Sequence, residues 1–473
     1  MIYSFFRFSI WPLAWFAFVP LFLAAENKSS KIRFILFYLS GIIFWFGTIY
    51  WLAHITLLGL IVLVLYLSLY FGIFGLFLAQ GLKFRIFGII VIPCLWVVLE
   101  YLRSHLLTGF PWALLAYSQY RNLPVIQICD IFGCWGVSFL VMMVNVGIYF
   151  ALRRRPGYLF SFLCVIAALL YGAVRISEVN KLPDKAGKIR ISLLQGNIPQ
   201  ELKWNKEADQ FIFERYISLN DAASKDSPGL IIWPEASLPV ILEEEPEYFD
   251  AVKELAKKNN TSLLIGAVTL RGNDYYNSAI LVSDRGLQLE RYDKIHLVPF
   301  GEYIPLKKIF PFLATVVPIG DIAAGKDYTV FTLGKNKFSV LICFEDLFPE
   351  LSREFKRRGA EFLVNITNDG WYKYSTAPYQ HLQVSVFRSV ENRLPLVRAA
   401  NTGISAFIYP DGRIISRIKD SEGKDIFVTG FNTKEINVLR VKPTFYTRFG
   451  DIFVLACLVV ILCGMLPLFS RKD

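Results

Sequence analysis

Seven apolar runs bracket a long stretch in which short apolar strings alternate with polar, helix-like segments. A helical span across a bilayer needs about 20 predominantly apolar residues. Runs of that order lie at 9–25, 34–53, 56–80, 86–104, 125–151 and 157–177, and a last one at 452–470. From about Lys188 the pattern changes. Apolar strings predict strands at 189–195, 229–234, 262–269, 277–282, 338–343, 361–367, 395–400 and 404–409. Helical patterns fall at 207–223, 247–259, 349–359 and 379–393. This alternation argues for an α/β layered domain with buried sheets. The chain is therefore expected to divide into N-terminal transmembrane helices at 1–177 (six or seven), an α/β domain at 178–448, and a C-terminal transmembrane helix with a short tail at 449–473.

Charge sharpens the picture. Residues 1–177 hold 12 Lys+Arg against 3 Asp+Glu, residues 178–448 hold 36 against 34, and 449–473 hold 2 against 2, so the net charge of +11 sits almost wholly in the apolar N-terminal part. A nucleic-acid surface is a poor reading of that distribution; basic loops of a membrane protein are a better one. Lys28, Lys31 and Arg33 follow the first run, Lys83 and Arg85 the third, Arg153, Arg154 and Arg155 the fifth, and Arg471 and Lys472 close the chain. The positive-inside rule puts these in the cytoplasm and residues 178–448 on the far side. Within the apolar runs, Glu100 and Arg103 are spaced to pair on one helix face, while His54 and Asp130 are expected near an interface.

Six of the seven cysteines lie in the apolar ends; Cys343 stands alone in the polar middle, after the string Phe338-Ser-Val-Leu-Ile and before Phe344-Glu345. A thiol with no disulfide partner in its own domain points to sulfur chemistry. Two further clusters end apolar strings: Ile231-Ile-Trp-Pro-Glu235, and Tyr292-Asp-Lys294 with Glu302 eight residues on, after a Gly turn. There is no phosphate loop, dinucleotide fingerprint or His/Cys metal spacing, and with only 4 histidines no metal or cofactor is expected.

In the order Glu, Lys, Cys, these three strand-end motifs resemble the nitrilase (carbon–nitrogen hydrolase) superfamily. Leu193-Leu-Gln-Gly-Asn-Ile-Pro-Gln200, Lys203-Trp204, His296-Leu-Val-Pro-Phe-Gly-Glu302, Asn368-Asp-Gly-Trp371 and Arg398-Ala-Ala-Asn-Thr-Gly-Ile404 are similar to the apolipoprotein N-acyltransferase family, as are Tyr66-Leu-Ser-Leu-Tyr70 and Leu107-Thr-Gly-Phe-Pro-Trp112. The resemblance implies an αββα nitrilase-like sandwich joined to a transmembrane bundle. It implies a catalytic triad of Glu235, Lys294 and Cys343, supported by Glu302, Glu345 and Phe344, with Trp204, Trp371 and Tyr372 along an acyl path. The implied reaction moves a fatty acyl chain from a phospholipid, phosphatidylethanolamine, through a Cys343 thioester to the N-terminal amine of a diacylated apolipoprotein. The implied location is the bacterial inner membrane, with the catalytic domain periplasmic. A membrane-anchored amidase or nitrilase-type hydrolase uses the same triad, and a non-catalytic lipoprotein-binding scaffold is the reading from another class.

Overall fold

The computed structural model describes residues 1–83, 85–181, 187–203, 205–303, 322–438 and 440–469. They form two compact units, one of Met1–Lys181, Ser375–Asn392 and Pro443–Asp473, the other of Leu182–Tyr374 and Arg393–Lys442.

The first unit is helical. Five stretches, Ser30–His54, Leu57–Gly81, Gly88–Thr108, Cys129–Leu152 and Tyr158–Asn180, are long and apolar enough to cross a membrane. The C-terminal run forms the helix Ile452–Phe469. The run at 9–25 behaves differently: it breaks into a 3₁₀ turn at Trp11–Trp15 and a seven-residue helix, Val19–Ala25. Pro12 and Pro20 each start a new element, because proline is tolerated at a helix start but not inside one. Seven residues rise only about 10 Å, against a hydrocarbon core of about 30 Å.

Glu100 and Arg103 do not spend their hydrogen bonds on each other as their spacing suggests. Glu100 accepts from the backbone N–H of Leu115 at 2.7 Å, and Arg103 donates to the carbonyls of Phe110 and Trp112 at 2.6 and 2.9 Å while lying over the Trp45 ring. Both tie down the segment that follows their own helix. Asp130 accepts from Arg175 at 2.9 Å and from the Tyr171 hydroxyl at 2.8 Å, and His54 ends an exposed turn.

The helix Ala377–Asn392 belongs to this unit, and all of its residues are buried. Polar side chains key it in place. Gln380 accepts from the indoles of Trp51 and Trp112 at 3.1 and 2.6 Å and donates to Thr48 O at 2.9 Å. Glu391 accepts from Arg388 at 2.9 Å and from the Cys134 N–H at 3.0 Å, and neither member of the ion pair is exposed.

The second unit is built on two six-stranded sheets. Its strands are β1 (Gly187–Gln195), β2 (Leu230–Ile232), β3 (Ser262–Arg271), β4 (Asp274–Val282), β5 (Gln288–Asp293), β6 (Phe331–Leu333), β7 (Asn336–Ile342), β8 (Phe362–Thr367), β9 (Leu396–Ala400), β10 (Ala406–Ile408), β11 (Ile414–Arg417) and β12 (Gly430–Val438). The orders are β12-β1-β2-β3-β4-β5 and β11-β10-β9-β8-β7-β6. Each sheet has a parallel core, β1-β2-β3 and β7-β8-β9, with antiparallel strands outside it. The parallel strands are covered on both faces, which is why they read as near-continuous apolar strings such as Phe362-Leu-Val and Leu230-Ile-Ile. Helices Asp209–Ser224 and Pro246–Asn259 cover the first sheet through Ile212, Tyr216, Val252 and Leu255, and Pro349–Arg357 seats the buried Phe355 against Tyr292 and Tyr328. Asn401 joins the two sheets, exchanging hydrogen bonds of 2.9 and 2.8 Å with the backbone of Ile198.

The Arg388–Glu391 pair gives a direct test of how the helical unit is held. Truncating one member of a buried pair strands the other charge and costs about 3–5 kcal/mol. Arg388→Met is expected to lower the melting temperature in detergent sharply, and the double change Arg388→Met with Glu391→Leu to lower it less.

Candidate active site

Cys343 directly follows β7 and opens a tight turn, Cys343–Leu347, with a backbone φ of +53°. A side chain in the left-handed region costs about 1–2 kcal/mol and persists only where its surroundings over-determine it. Here they do. Asn365, on the neighbouring β8, donates to the carbonyls of Leu341 and Cys343 at 3.1 and 3.2 Å. Arg398, on β9, fixes Asn365 at 2.5 Å and bridges Asp346 and Asp369, both at 3.2 Å. Glu345 accepts from the Ile342 N–H at 2.7 Å, and its other oxygen accepts from the Ile295 and His296 N–H groups at 2.7 and 3.0 Å and the Tyr292 hydroxyl at 2.8 Å. That carboxylate therefore stitches the cysteine turn to the segment that carries Lys294. Burial pushes its pKa up to about 7, and the donors around it oppose the rise.

Glu235 sits three residues beyond β2, in a turn where Ala236 has φ +45°. The turn fits only because Gly266 lies beneath it: a Cβ there would come within 2.4 Å of Pro234 O. Asn277 donates to Glu235 Oε1 and the Asn368 N–H to Oε2, each at 2.8 Å. The buried Lys203 donates to the carbonyls of Glu235 and Ala236 at 3.2 and 3.0 Å. Burial brings the Lys203 ammonium down to about 8.

Lys294 directly follows β5, and its N–H donates to Asn277 O at 2.8 Å. Its Nζ lies 2.9 Å from Glu302 Oε1 and 3.6 Å from Glu235 Oε1. Glu302 closes a turn on itself, taking the Val298 N–H on its other oxygen at 2.8 Å. Burial alone would pull the Lys294 pKa down, but the carboxylates of Glu302 and Glu235 outweigh it and hold the ammonium above its ordinary range. The Cys343 thiol is pushed up by burial and by Glu235, with Lys294 and a bond to Thr367 pulling the other way. The resting site therefore holds a protonated thiol beside a fixed ammonium.

The structure thus gathers Glu235, Lys294, Cys343, Glu302 and Glu345 from the ends of separate strands. Phe344 is buried against Phe348 and the His296 ring, and its N–H, in the first turn of a short helix, has no partner within that helix. Tyr372 is buried in the electrostatic field of Cys343, Asp369 and Glu235. Trp371, on the same turn, points outward and is 52% exposed. Trp204 lies outside the described residues. Nothing in the sequence assigns a role to Asn277, Lys203, Asn365, Asn368 or Arg398, although Lys203, Asn368 and Arg398 stand inside the motifs above. Their work is done on backbone atoms and on other side chains, which a string of letters does not display.

Residues 1–147 match the family described as apolipoprotein N-acyltransferase N-terminal domain, and residues 190–440 match the carbon–nitrogen hydrolase family. A protein of Geobacter metallireducens named apolipoprotein N-acyltransferase is 39% identical over 98% of this chain and 92% of its own length. Proteins of the same name from Rickettsia prowazekii and Bradyrhizobium diazoefficiens are 33% and 34% identical, over 78% and 87% of this chain and 74% and 79% of theirs.

Two measurements test this geometry. Alkylation of Cys343 by iodoacetamide in the resting protein is expected to keep accelerating well above pH 8.5, where an ordinary thiol, with a pKa of about 8.5, is already half ionised. A plateau below that pH would contradict a protonated resting thiol. Glu345→Gln puts an amide against three backbone N–H groups, and is expected to cost about 1–3 kcal/mol in thermal unfolding and to slow that alkylation.

Proposed function

Because the chain belongs to the apolipoprotein N-acyltransferase family, and so is a lipoprotein acyltransferase built on a carbon–nitrogen hydrolase domain, we propose that Cys343 carries the acyl group as a thioester between two half-reactions. The observation that carries this reading is the shared position of the Glu235 carboxylate, the Lys294 ammonium and the strained Cys343 turn at strand ends of one unit. In the first half-reaction Glu235 takes the thiol proton as sulfur attacks the ester carbonyl of a phospholipid. Lys294 and the Phe344 N–H stabilise the oxyanion. The carbon–oxygen bond then breaks, and Glu235 returns its proton to the departing alkoxide, releasing a lysophospholipid.

In the second half-reaction the free α-amine of a diacylglyceryl-cysteine attacks the thioester. Glu235 takes a proton from the attacking nitrogen and passes it to the Cys343 thiolate as that leaves. The product is a triacylated lipoprotein, and the enzyme returns to its first state. Thioester chemistry suits this exchange, since a thiolate is a better leaving group than the alkoxide of the donor ester. Glu302 holds Lys294, Glu345 holds the cysteine turn, and Tyr372 and Trp371 flank the acyl path.

Phosphatidylethanolamine is the proposed donor, and the inner membrane the proposed location. The charge pattern supports an external catalytic unit. With five spans, Lys28–Arg33, Lys83–Arg85 and Arg153–Arg155 all fall on one side, and the segment after Asn180 falls on the other.

The test is an intact-mass measurement on purified protein in nanodiscs containing phosphatidylethanolamine. An acyl adduct on Cys343 is expected, discharged by a synthetic diacylated lipopeptide to give triacylated product. Cys343→Ser and Glu235→Gln are expected to give no thioester, Cys343→Ser with an unchanged melting temperature. An adduct discharged only by water would identify a hydrolase, and no adduct at all would sink the mechanism.

A further inference from the structure

We propose that Lys203 is a positioning residue for the acyl transfer, its ammonium clamping the backbone of the turn that presents Glu235. This rests on the reading of Glu235 as the proton acceptor. Lys203 lies in the segment after β1 and is 7% exposed. Its Nζ reaches the turn after β2, where it donates to Glu235 O at 3.2 Å and to Ala236 O at 3.0 Å.

The shape of that turn calls for such a clamp. Along an extended strand successive carbonyls point to opposite sides. With φ +45°, Ala236 leaves the strand conformation, and the carbonyls of Glu235 and Ala236 converge on one cation. The N–H groups that follow point elsewhere: those of Ser237 and Leu238 donate to Gly266 O at 2.9 and 3.3 Å, and the Ser237 hydroxyl joins them at 3.0 Å. Backbone polar groups inside a protein need partners, and a left-handed residue persists only where its surroundings fix it. Lys203 meets both needs at once. The same segment also takes hold of Glu235 from its other end. Gln200 Oε1 accepts from Asn368 Nδ2 at 2.8 Å, and the Asn368 N–H donates to Glu235 Oε2 at 2.8 Å.

A cation suits this task better than a neutral donor. An ammonium carries three N–H groups, and its hydrogen bonds are roughly twice as strong as neutral ones. Among the described residues, the titratable groups that face it are Glu235 after β2 and Cys343 after β7. Both favour the charged form, while burial opposes it more strongly and brings the ammonium down to about 8. Lys294 turns its own ammonium to side-chain carboxylates, those of Glu302 and Glu235. The two lysines thus divide the work: Lys294 meets the carboxylate of Glu235, and Lys203 meets its main chain.

The experiment follows acylation of Cys343 in the full-length protein by intact mass, in nanodiscs of varied phosphatidylethanolamine content and on both sides of pH 8. Lys203→Met is expected to lower the maximal rate about 100-fold, with the half-saturating phospholipid content within about twofold of wild type. Lys203→Arg keeps the charge and the donors; it is expected to recover most of that rate, and decides the matter if the methionine variant does not fold. The wild-type rate is expected to fall as pH rises through about 8, where the ammonium gives up its proton, and Lys203→Arg, charged throughout, to lack that fall. A folded Lys203→Met at the wild-type maximal rate overturns the proposal. So does a folded Lys203→Arg that is no faster than Lys203→Met, or one with the wild-type pH profile. Wild-type acylation in Glu235→Gln would instead overturn the reading of Glu235 on which it rests.

Discussion

A buried ammonium shared by two carboxylates is the interaction around which the catalytic unit is arranged. Lys294 is 1% exposed, and its Nζ lies 2.9 Å from Glu302 and 3.6 Å from Glu235. A lysine that far from water is stable only beside compensating charge and hydrogen bonds. The surrounding elements supply them. The turn that ends at Glu302 closes on its own carboxylate, β4 brings Asn277, and the turn after β2 brings Glu235. Moving Glu302 or Glu235 takes a carboxylate away from the buried ammonium, and moving Asn277 takes away the donor the two carboxylates share. The proposed chemistry draws on the same arrangement, because a cation already fixed in place needs no reorganisation when negative charge develops on oxygen.

Strain and electrostatics meet at Glu345. Its carboxylate spans from the turn of Cys343 to the backbone just after Lys294, so one group locates both the thiol and the ammonium. The strained φ at Cys343 is held from the other side by Asn365 and Arg398. Rigid support from both sides suits the nucleophilic role proposed for Cys343, since small displacements there would cost rate.

The eight strands legible in the sequence are the interior ones, and the four it hides are β5, β6, β11 and β12, the outer strands of the two sheets. An interior parallel strand is covered on both faces and shows as an apolar string. An edge strand such as β12, Gly430-Phe-Asn-Thr-Lys-Glu-Ile-Asn-Val438, pairs fully with β1 yet carries mostly polar side chains, and its identity comes from its neighbour. The site divides in the same way. Glu235, Lys294 and Cys343 were legible because each ends an apolar string with a reactive side chain. Asn277 was not, since an asparagine in a strand looks like any other until the fold brings two carboxylates to its amide. Glu100 and Arg103 misled for a related reason: helical spacing shows which side chains are near, but not that a backbone will claim both.

The helix Ala377–Asn392 has a consequence for how the protein can be divided. In sequence it is the crossover from β8 to β9, yet it is counted among the helices of the other unit, so the chain passes between the units at 181–182, 374–375, 392–393 and 442–443. No single cut separates them. A fragment from 182 to 442 would take this helix away from Trp51, Trp112, Cys134 and Thr447, leaving Gln380, Glu391 and Asn392 without those partners. Cutting the chain at 182 and 442 therefore removes the β8–β9 crossover helix from the side chains that hold it.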